Sequence, residues 1–167
     1  MAGQVTHNGI INAVQANLIA NITECQAGNV HIMPFPIFRS GFTSYEVQVC
    51  PNGMTADGGI IATSVGARLR GKIFSVRLGV FSVAPLDEAN IKTNALTEST
   101  IGINQLVTKV ENLLQAAYLR SELETAGLTA LLEPLQLQSV SAPETNPEFP
   151  ETLKVDLFFG AALSRFE

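Results

Sequence analysis

The chain has 167 residues, a length that one hydrophobic core can organise, so we expect a single domain spanning residues 1–167. Only 15% of the residues are charged, against roughly 25% in typical soluble domains, and surface so poor in charge is best covered by copies of the chain or by partners. The net charge of −5 and the ten scattered Lys and Arg residues exclude a protein that grips nucleic acid, because such proteins concentrate basic residues.

The first residues contain neither a basic start nor a continuous apolar core, so we expect no signal peptide and synthesis in a cytoplasm. No apolar run approaches the roughly 20 residues that cross a bilayer. Cys25 and Cys50 fall in different predicted elements. In a reducing compartment we expect both to be free thiols that behave as small apolar residues.

The first predicted element is an amphipathic helix capped by Asn8 and stopped by Gly28. Its apolar residues recur at intervals of three and four positions: Ile10, Ile11, Val14, Leu18, Ile19 and Ile22. Strands are predicted over residues 30–35 and 43–50, and the second alternates apolar and polar residues in the manner of a half-buried strand.

Turn-forming residues dominate the following segment. The sequence Pro51-Asn52-Gly53 is predicted to end the second strand, and Asp57-Gly58-Gly59 to form a further turn. Residues 51–71 hold five glycines and little pattern. We interpret this segment as a long mobile loop or an extended hairpin arm.

The clearest strand covers residues 72–84 and alternates an apolar face with a mixed one, until Pro85 ends its pairing. A polar loop over residues 86–90 leads to the strongest helical pattern in the chain, over residues 97–119. Its stripe repeats at intervals of three and four residues for four turns: Ile103, Leu106, Val107, Val110, Leu113, Leu114 and Ala117. We expect this helix to pack on the apolar face of the preceding strand.

The C-terminal region is predicted to contain two further strands. Gly127 ends the helical region, residues 135–138 alternate as a short strand, and residues 141–150 form a loop rich in Pro and acidic residues. The final stretch repeats the pattern of the strand at 72–84, and pairing the two places Arg77 near Asp156. The expected fold class is α+β, with a mixed or antiparallel sheet and amphipathic helices packed on one face.

One segment comes close to a phosphate-binding loop. Residues 66–73 carry the G-x-x-x-x-G-K frame whose backbone N–H groups surround a phosphate. However, Ile73 replaces the hydroxyl residue that holds magnesium, and a strand follows where a helix is needed. We therefore reject this site.

No other motif indicates catalysis, a cofactor or a metal. The histidines His7 and His31 are far apart and lack partners at metal-ligand spacing. A nucleophile pair of Cys25 and His31 has no surrounding residues that would activate it. The neighbouring acids Asp87 and Glu88 fit a solvated or interface role better than acid–base chemistry. We expect a protein that is not an enzyme and binds no cofactor.

The order of elements resembles that of the tail-terminator and tail-completion proteins of long-tailed bacteriophages. Three segments carry the resemblance: the strand and Pro-Leu-Asp loop at 72–87, the helix at 97–119, and the closing strand at 151–159. Together with their immediate flanks they cover about half of the chain. The segments 51–70 and 120–143 have no assigned counterpart in the family.

The resemblance implies a structural virion protein that sits at the head–tail joint. Six copies would form a ring on the last layer of the tail tube and offer a surface to the head connector, while DNA passes through the lumen without being held. Rings use heterologous interfaces, and flexible segments at 51–70, 86–95 and 141–151 are the expected contact loops. Their candidate contact residues are Asp57, Arg68, Arg70, Asp87, Glu88, Glu144 and Glu148.

Two alternatives remain open on the sequence. The first is another virion component of related fold, such as a head–tail connector or a tail-tube subunit. A tube subunit would grow into long hollow rods, whereas a terminator would stop at a closed ring. The second is a small cytosolic ligand-binding or enzymatic α+β domain with a pocket under the glycine-rich arm. Such a domain would stay monomeric and be stabilised by its ligand.

Overall fold

The structure is a computed structural model, and it describes residues 6–41, 44–62, 68–83, 102–127, 131 and 134–166. For residues 55–62, 68–72 and 163–166 it defines strand positions and register only. The elements are α1 (His7–Asn21), β1 (Val30–Ile32), β2 (Tyr45–Ala62), β3 (Arg68–Val83), α2 (Ile103–Gln115), α3 (Arg120–Thr125), β4 (Gln136–Val140), β5 (Glu144–Asn146) and β6 (Phe149–Phe166).

The strands form one six-stranded sheet in the order β1-β2-β3-β6-β4, with β5 paired to β6 off this path. β1 runs parallel to β2, and every other pair is antiparallel. Within the described residues, the mixed sheet and three helices confirm the predicted α+β class.

The core lies between one face of the sheet and the helices, as predicted. On α2 the stripe residues are buried as expected except Leu113, which is half-buried, and Ala117 is buried just beyond the helix. The helix α1 contributes Ile10, Val14 and Leu18. We call this side of the sheet the helix face. Its buried strand residues occupy alternate positions: Val47, Val49, Val76, Leu78, Val80, Leu153, Val155, Leu157, Phe159 and Ala161.

Both long helices differ from their predicted bounds. Thr6 caps α1 in place of Asn8, because its Oγ1 accepts a hydrogen bond from the backbone N–H of Gly9 at 3.0 Å. The helix ends at Asn21, well before Gly28, since Ile22 already has an extended backbone. Within the described residues α2 begins after Gly102 and ends at Gln115, four residues before the predicted end.

The turns predicted at 51–53 and 57–59 are wrong, because β2 continues through both. The register between β2 and β3 shifts between Pro51 and Met54 and again between Ala56 and Ile60. Gly53 has φ +83°, a backbone conformation that glycine adopts readily, so the extra residues are absorbed as irregularities within a continuing strand. The hairpin alternative for 51–71 is therefore confirmed.

The predicted pairing of the two alternating strands is confirmed by β3 and β6, which pair from Leu69 with Phe166 to Val83 with Thr152. The C-terminal part of β6 extends along the hairpin of β2 and β3. We call these parts of β2, β3 and β6, at residues 55–62, 68–72 and 163–166, the arm.

The segment 141–150 is more ordered than the predicted loop. It contains β5, a turn at Pro147 and Glu148, and the start of β6. The acid-rich sequence thus forms a short hairpin with β6, which we call the acidic hairpin (residues 144–151). The predicted break at Gly127 is confirmed by its φ of +74° directly after α3.

Among the described residues, none of the helices has both the length and the apolar character needed to cross a membrane.

Candidate interaction site

The face of the sheet opposite the helices is covered by the chain itself. Residues 33–41, which we call the crossover segment, connect β1 to its parallel neighbour β2. Gly79 of β3 permits close approach, because a Cβ there would lie 2.9 Å from the Cβ of Pro36. Phe38 packs edge-on against Phe81 with ring centroids 5.4 Å apart. The crossover segment is therefore in direct contact with the central strand of the sheet.

Gln48 fixes the crossover segment by hydrogen bonds. Its side chain is fully buried, and its Oε1 accepts from the backbone N–H of Ile37 at 2.7 Å. Its Nε2 donates to the carbonyl of Ile37 at 2.9 Å and to Oε2 of Glu46 at 2.7 Å. One amide therefore satisfies both backbone groups of Ile37 and part of a buried carboxylate.

Glu46 is the first buried charge on this face, with 1% of its surface exposed. Nε of Arg39, from the crossover segment, donates to both carboxylate oxygens at 2.9 and 3.0 Å. His31 of β1 places Nε2 3.4 Å from Oε1. The hydrogen bond to Glu46 raises the pKa of the Arg39 guanidinium.

A second ionic cluster lies where β3 and β6 pair. Nη2 of Arg77 donates to Oδ2 of Asp156 at 2.8 Å, as the sequence predicts, and Nζ of Lys154 lies 3.2 Å from the same oxygen. Lys154 also forms an ion pair with Glu144 of β5. Asp156 and Lys154 are buried, and their cluster contains two positive and two negative groups. The hydrogen bond to Asp156 raises the pKa of Arg77.

Aromatic rings enclose this second cluster. The guanidinium of Arg77 lies 5.3 Å from the ring centroid of Phe158, and Nζ of Lys154 lies 5.4 Å from that of Phe38. Phe38 in turn stacks on Phe149 at 6.4 Å. The charges and rings together join the crossover segment, β3 and the start of β6 into one unit.

Both edges of the sheet carry exposed apolar side chains. At the β1 edge Ile32 is 43% exposed and Phe35, in the crossover segment, is 60% exposed. A shallow cavity of about 420 Å³ beside them is lined by residues that include Ile11, Met33 and Pro51. We call this region the β1 edge patch. At the opposite edge Val140 of β4 is 41% exposed.

A second, more polar cavity of about 330 Å³ adjoins Glu46. Its lining residues all lie between Gln26 and Glu46, and include His31, Arg39 and Tyr45. This cavity is thus in a different place from the pocket under the glycine-rich arm that the ligand-binding alternative predicts. Among the described residues, no three His, Cys, Asp or Glu side chains come together as metal ligands.

The two thiols are free and buried, as predicted. Burial raises the pKa of Cys25 to about 12 and that of Cys50 to about 11. We expect neither thiol to react with Ellman's reagent at pH 8 in the folded protein, because the nucleophilic thiolate is scarce and inaccessible. Both should react at once in about 6 M guanidinium, because that concentration unfolds most domains. Rapid labelling of one equivalent in the folded protein would contradict the burial of that thiol.

The predicted contact residues fall in separate parts of the structure. Glu144 lies in β5 and Glu148 in the turn that follows it, and both are exposed. Arg68 and Arg70 belong to β3 within the arm, and Asp57 lies in β2 at the second register shift. Asp87 and Glu88 lie outside the described residues. For all seven candidate residues, contacts with other copies or partners remain a prediction.

Sequence reasoning missed the β1 edge patch. The signal was present in Ile32-Met33-Pro34-Phe35-Pro36, a run without any polar residue that begins within the first predicted strand. Two prolines remove backbone donors and disfavour regular pairing, so an apolar run of this kind is typical of an exposed edge segment.

The chain has a structural likeness to a solved protein. No family model and no curated protein matches the chain. Among solved structures, the chain is similar to the PVC sheath/tube terminator of an extracellular contractile injection system in the extended state, with 12% sequence identity and a TM-score of 0.42. The match covers 99% of this chain and 59% of that one, so this chain spans less than two thirds of the length of the protein it resembles.

Proposed function

We propose that the chain is a non-enzymatic structural subunit that assembles side by side into a ring and caps the tube of a phage-type tail. The single observation that carries the proposal is the pair of sheet edges. Among the described strands, β1 and β4 end the sheet on opposite sides, and each edge carries an exposed apolar residue, Ile32 on β1 and Val140 on β4.

The two edges differ in sequence and in pairing direction. β1 is parallel to its neighbour β2, whereas β4 is antiparallel to β6. A contact between unlike edges of neighbouring copies is heterologous, and such contacts close into rings when the rotation between copies permits. The low charged fraction of 15% supports the burial of both edges against other copies.

The proposed partners follow from this role and from the resemblance in element order. They are further copies of the chain, six in a closed ring, together with a tail-tube protein and a head–tail connector. The net charge of −5 suits a channel wall that DNA passes without adhering. The proposed location is the tail or neck of a virion assembled in the host cytoplasm.

Substitutions in the β1 edge patch provide the test. We expect the wild-type chain to form closed rings in negative-stain images, with a matching mass by light scattering. Ile32→Lys and Phe35→Glu should each weaken association by about tenfold or more, since apolar groups buried in an interface core are replaced by charges. Tyr118→Lys is the matched control, because Tyr118 is 48% exposed and lies in the connection between α2 and α3.

Other outcomes assign other roles. Long hollow rods would identify a tube subunit, and a monomer at every accessible concentration would eliminate the proposal. A monomer that a metabolite or nucleotide stabilises against heat would favour the ligand-binding alternative.

A further inference from the structure

We propose that the chain's own hydrogen bonds close the β1 edge to strand addition, and that this edge receives the β4 edge of the next copy through apolar side chains. The inference rests on the proposed assembly and specifies the kind of contact made at the β1 edge patch. It assigns to Gln15 of α1 the role of closing the edge.

Backbone hydrogen bonds show which residues of β1 face away from the sheet. The carbonyl of Asn29 and the N–H of Met33 both bond to backbone groups of β2. In a parallel pair, alternate residues of a strand bond to the same neighbour. Val30 and Ile32 therefore direct their N–H and carbonyl groups away from β2, towards the edge.

Both of these groups of Val30 are already bonded within the chain. Its N–H donates to the carbonyl of Gln26 at 3.1 Å. Its carbonyl accepts from Nε2 of Gln15 at 2.9 Å. An incoming strand would have to break both hydrogen bonds in order to pair at this position.

The bond to Val30 accounts for a polar residue in an apolar row of α1. Residues four positions apart are neighbours on a helix surface, and Gln15 lies between Ile11 and Ile19 in such a row. Gln15 is half-buried there, where a polar side chain needs a hydrogen-bond partner. The carbonyl of Val30 supplies that partner, so Gln15 is placed to cover the edge.

The rest of the edge is also poor in donors. β1 has three residues, and the next outward position after Ile32 is Pro34, which has no N–H. Ile32 is thus at most the one position where an added strand finds a donor and an acceptor together. Short edge strands, prolines and coverage are the means by which proteins prevent strands from adding to a sheet.

The β1 edge patch offers side chains instead. Ile32 and Phe35 are exposed beside the shallow cavity of about 420 Å³. The opposite edge of the sheet presents Val140, another exposed apolar side chain. In a head-to-tail ring each β1 edge meets one β4 edge, so the occupant of the patch is the β4 edge of the next copy.

Opening the edge tests its closure. Gln15→Met removes the donor to Val30 with little change of shape, and Pro34→Ala restores an N–H at the next outward position. We expect the double variant to add strands. Sedimentation velocity should then show polydisperse species of severalfold the wild-type mass, and infrared spectra should gain an intermolecular strand signal.

The matched control makes the same two replacements elsewhere. In Gln115→Met/Pro147→Ala they fall on exposed residues of α2 and of the turn in the acidic hairpin. This control should keep the wild-type size distribution. Circular dichroism checks that each variant retains the sheet, and if the double variant fails to fold, the exposed Pro34→Ala alone gives the same readout.

Truncation tests the contact through side chains. Ile32→Ala/Phe35→Ala leaves every backbone group in place, so a contact made by strand addition would persist. A contact made by side chains should weaken by about tenfold or more. Tyr118→Ala is the control, because it truncates an exposed aromatic residue in the connection between α2 and α3.

The outcomes separate this inference from the proposed function. Wild-type rings with an unchanged size distribution in Gln15→Met/Pro34→Ala overturn the closure of the edge and leave the proposed function intact. Rings that survive Ile32→Ala/Phe35→Ala overturn the contact through side chains. A monomeric wild type whose opened variant adds strands overturns the proposed function but retains the closure, whereas monomers in both overturn both.

Discussion

Asp156→Ala is expected to lower the free energy of unfolding by about 3 kcal/mol. Asp156 is 4% exposed and accepts from Arg77 at 2.8 Å, with the buried Nζ of Lys154 at 3.2 Å. Removing the carboxylate leaves two cations facing only Glu144, which is half exposed and screened by water. The partial exposure of Arg77 keeps the expected loss at the lower end of the range for broken buried pairs.

Urea unfolding followed by circular dichroism measures this loss at a fixed protein concentration. Glu124→Ala is the matched control, because it removes an acid from an exposed pair with Arg120 on α3. Exposed pairs of this kind contribute about 0.3–0.5 kcal/mol, so the control should be nearly neutral. Equal losses in the two variants would show that the cluster at Asp156 is no more important than a surface ion pair.

The pairing of Arg77 with Asp156 also shows what the sequence can predict. Two segments with the same strict alternation must place their apolar residues on a common face if they pair, and their polar residues then meet on the other face. That argument needs only periodicity, and it located an ion pair between residues 79 positions apart. The helix stripe at 103–117 was predictable for the same reason.

Contacts that depend on a third segment were not predictable. The burial of Glu46 depends on Arg39 of the crossover segment and Gln48 of β2, which both bond its carboxylate, and no periodic pattern marks that arrangement. The glycines at 53 and 58–59 were interpreted as turns, since the local signal for a turn and for a strand irregularity is the same. Pairing with β3 decides between them.

For the candidate contact residues, too, the sequence predicts some features and only the topology of the sheet shows the others. Charge alone drew attention to Arg68, Arg70 and Glu148, but only the register places the two arginines on one face with Lys72 and Arg165. The β1 edge patch required knowing which strand ends the sheet, which is a property of topology. A single sequence does not specify strand order, so the apolar edge was missed.

Gln48→Met is expected to cost about 3 kcal/mol and to release the crossover segment. Methionine has nearly the shape of glutamine but neither donates nor accepts strong hydrogen bonds. The substitution therefore leaves the N–H and carbonyl of Ile37 and one oxygen of Glu46 without their present partner. Unsatisfied buried groups of this kind cost about 1–3 kcal/mol each, reduced where water can reach them.

The release should be visible locally as well as globally. Amide hydrogen exchange should accelerate in residues 37–40, while the centre of β3 should keep its protection until global unfolding. Gln115→Met is the matched control, because Gln115 is exposed on α2 and bonds only to the neighbouring Glu111. The control should change neither the exchange pattern nor the free energy of unfolding beyond a few tenths of a kcal/mol.

The same variant also separates folding from assembly. Phe35 is part of the β1 edge patch and belongs to the segment that Gln48 holds in place, so loosening that segment should weaken ring formation even under conditions where the sheet remains folded. As urea is added, we therefore expect Gln48→Met to lose its rings first and its circular dichroism signal second. The two losses should be separated by a wider range of urea concentration than in the wild type. If Gln48→Met loses both signals together, the crossover segment is part of the global folding unit. If exchange accelerates at 37–40 while rings persist unchanged, Phe35 does not belong to the interface.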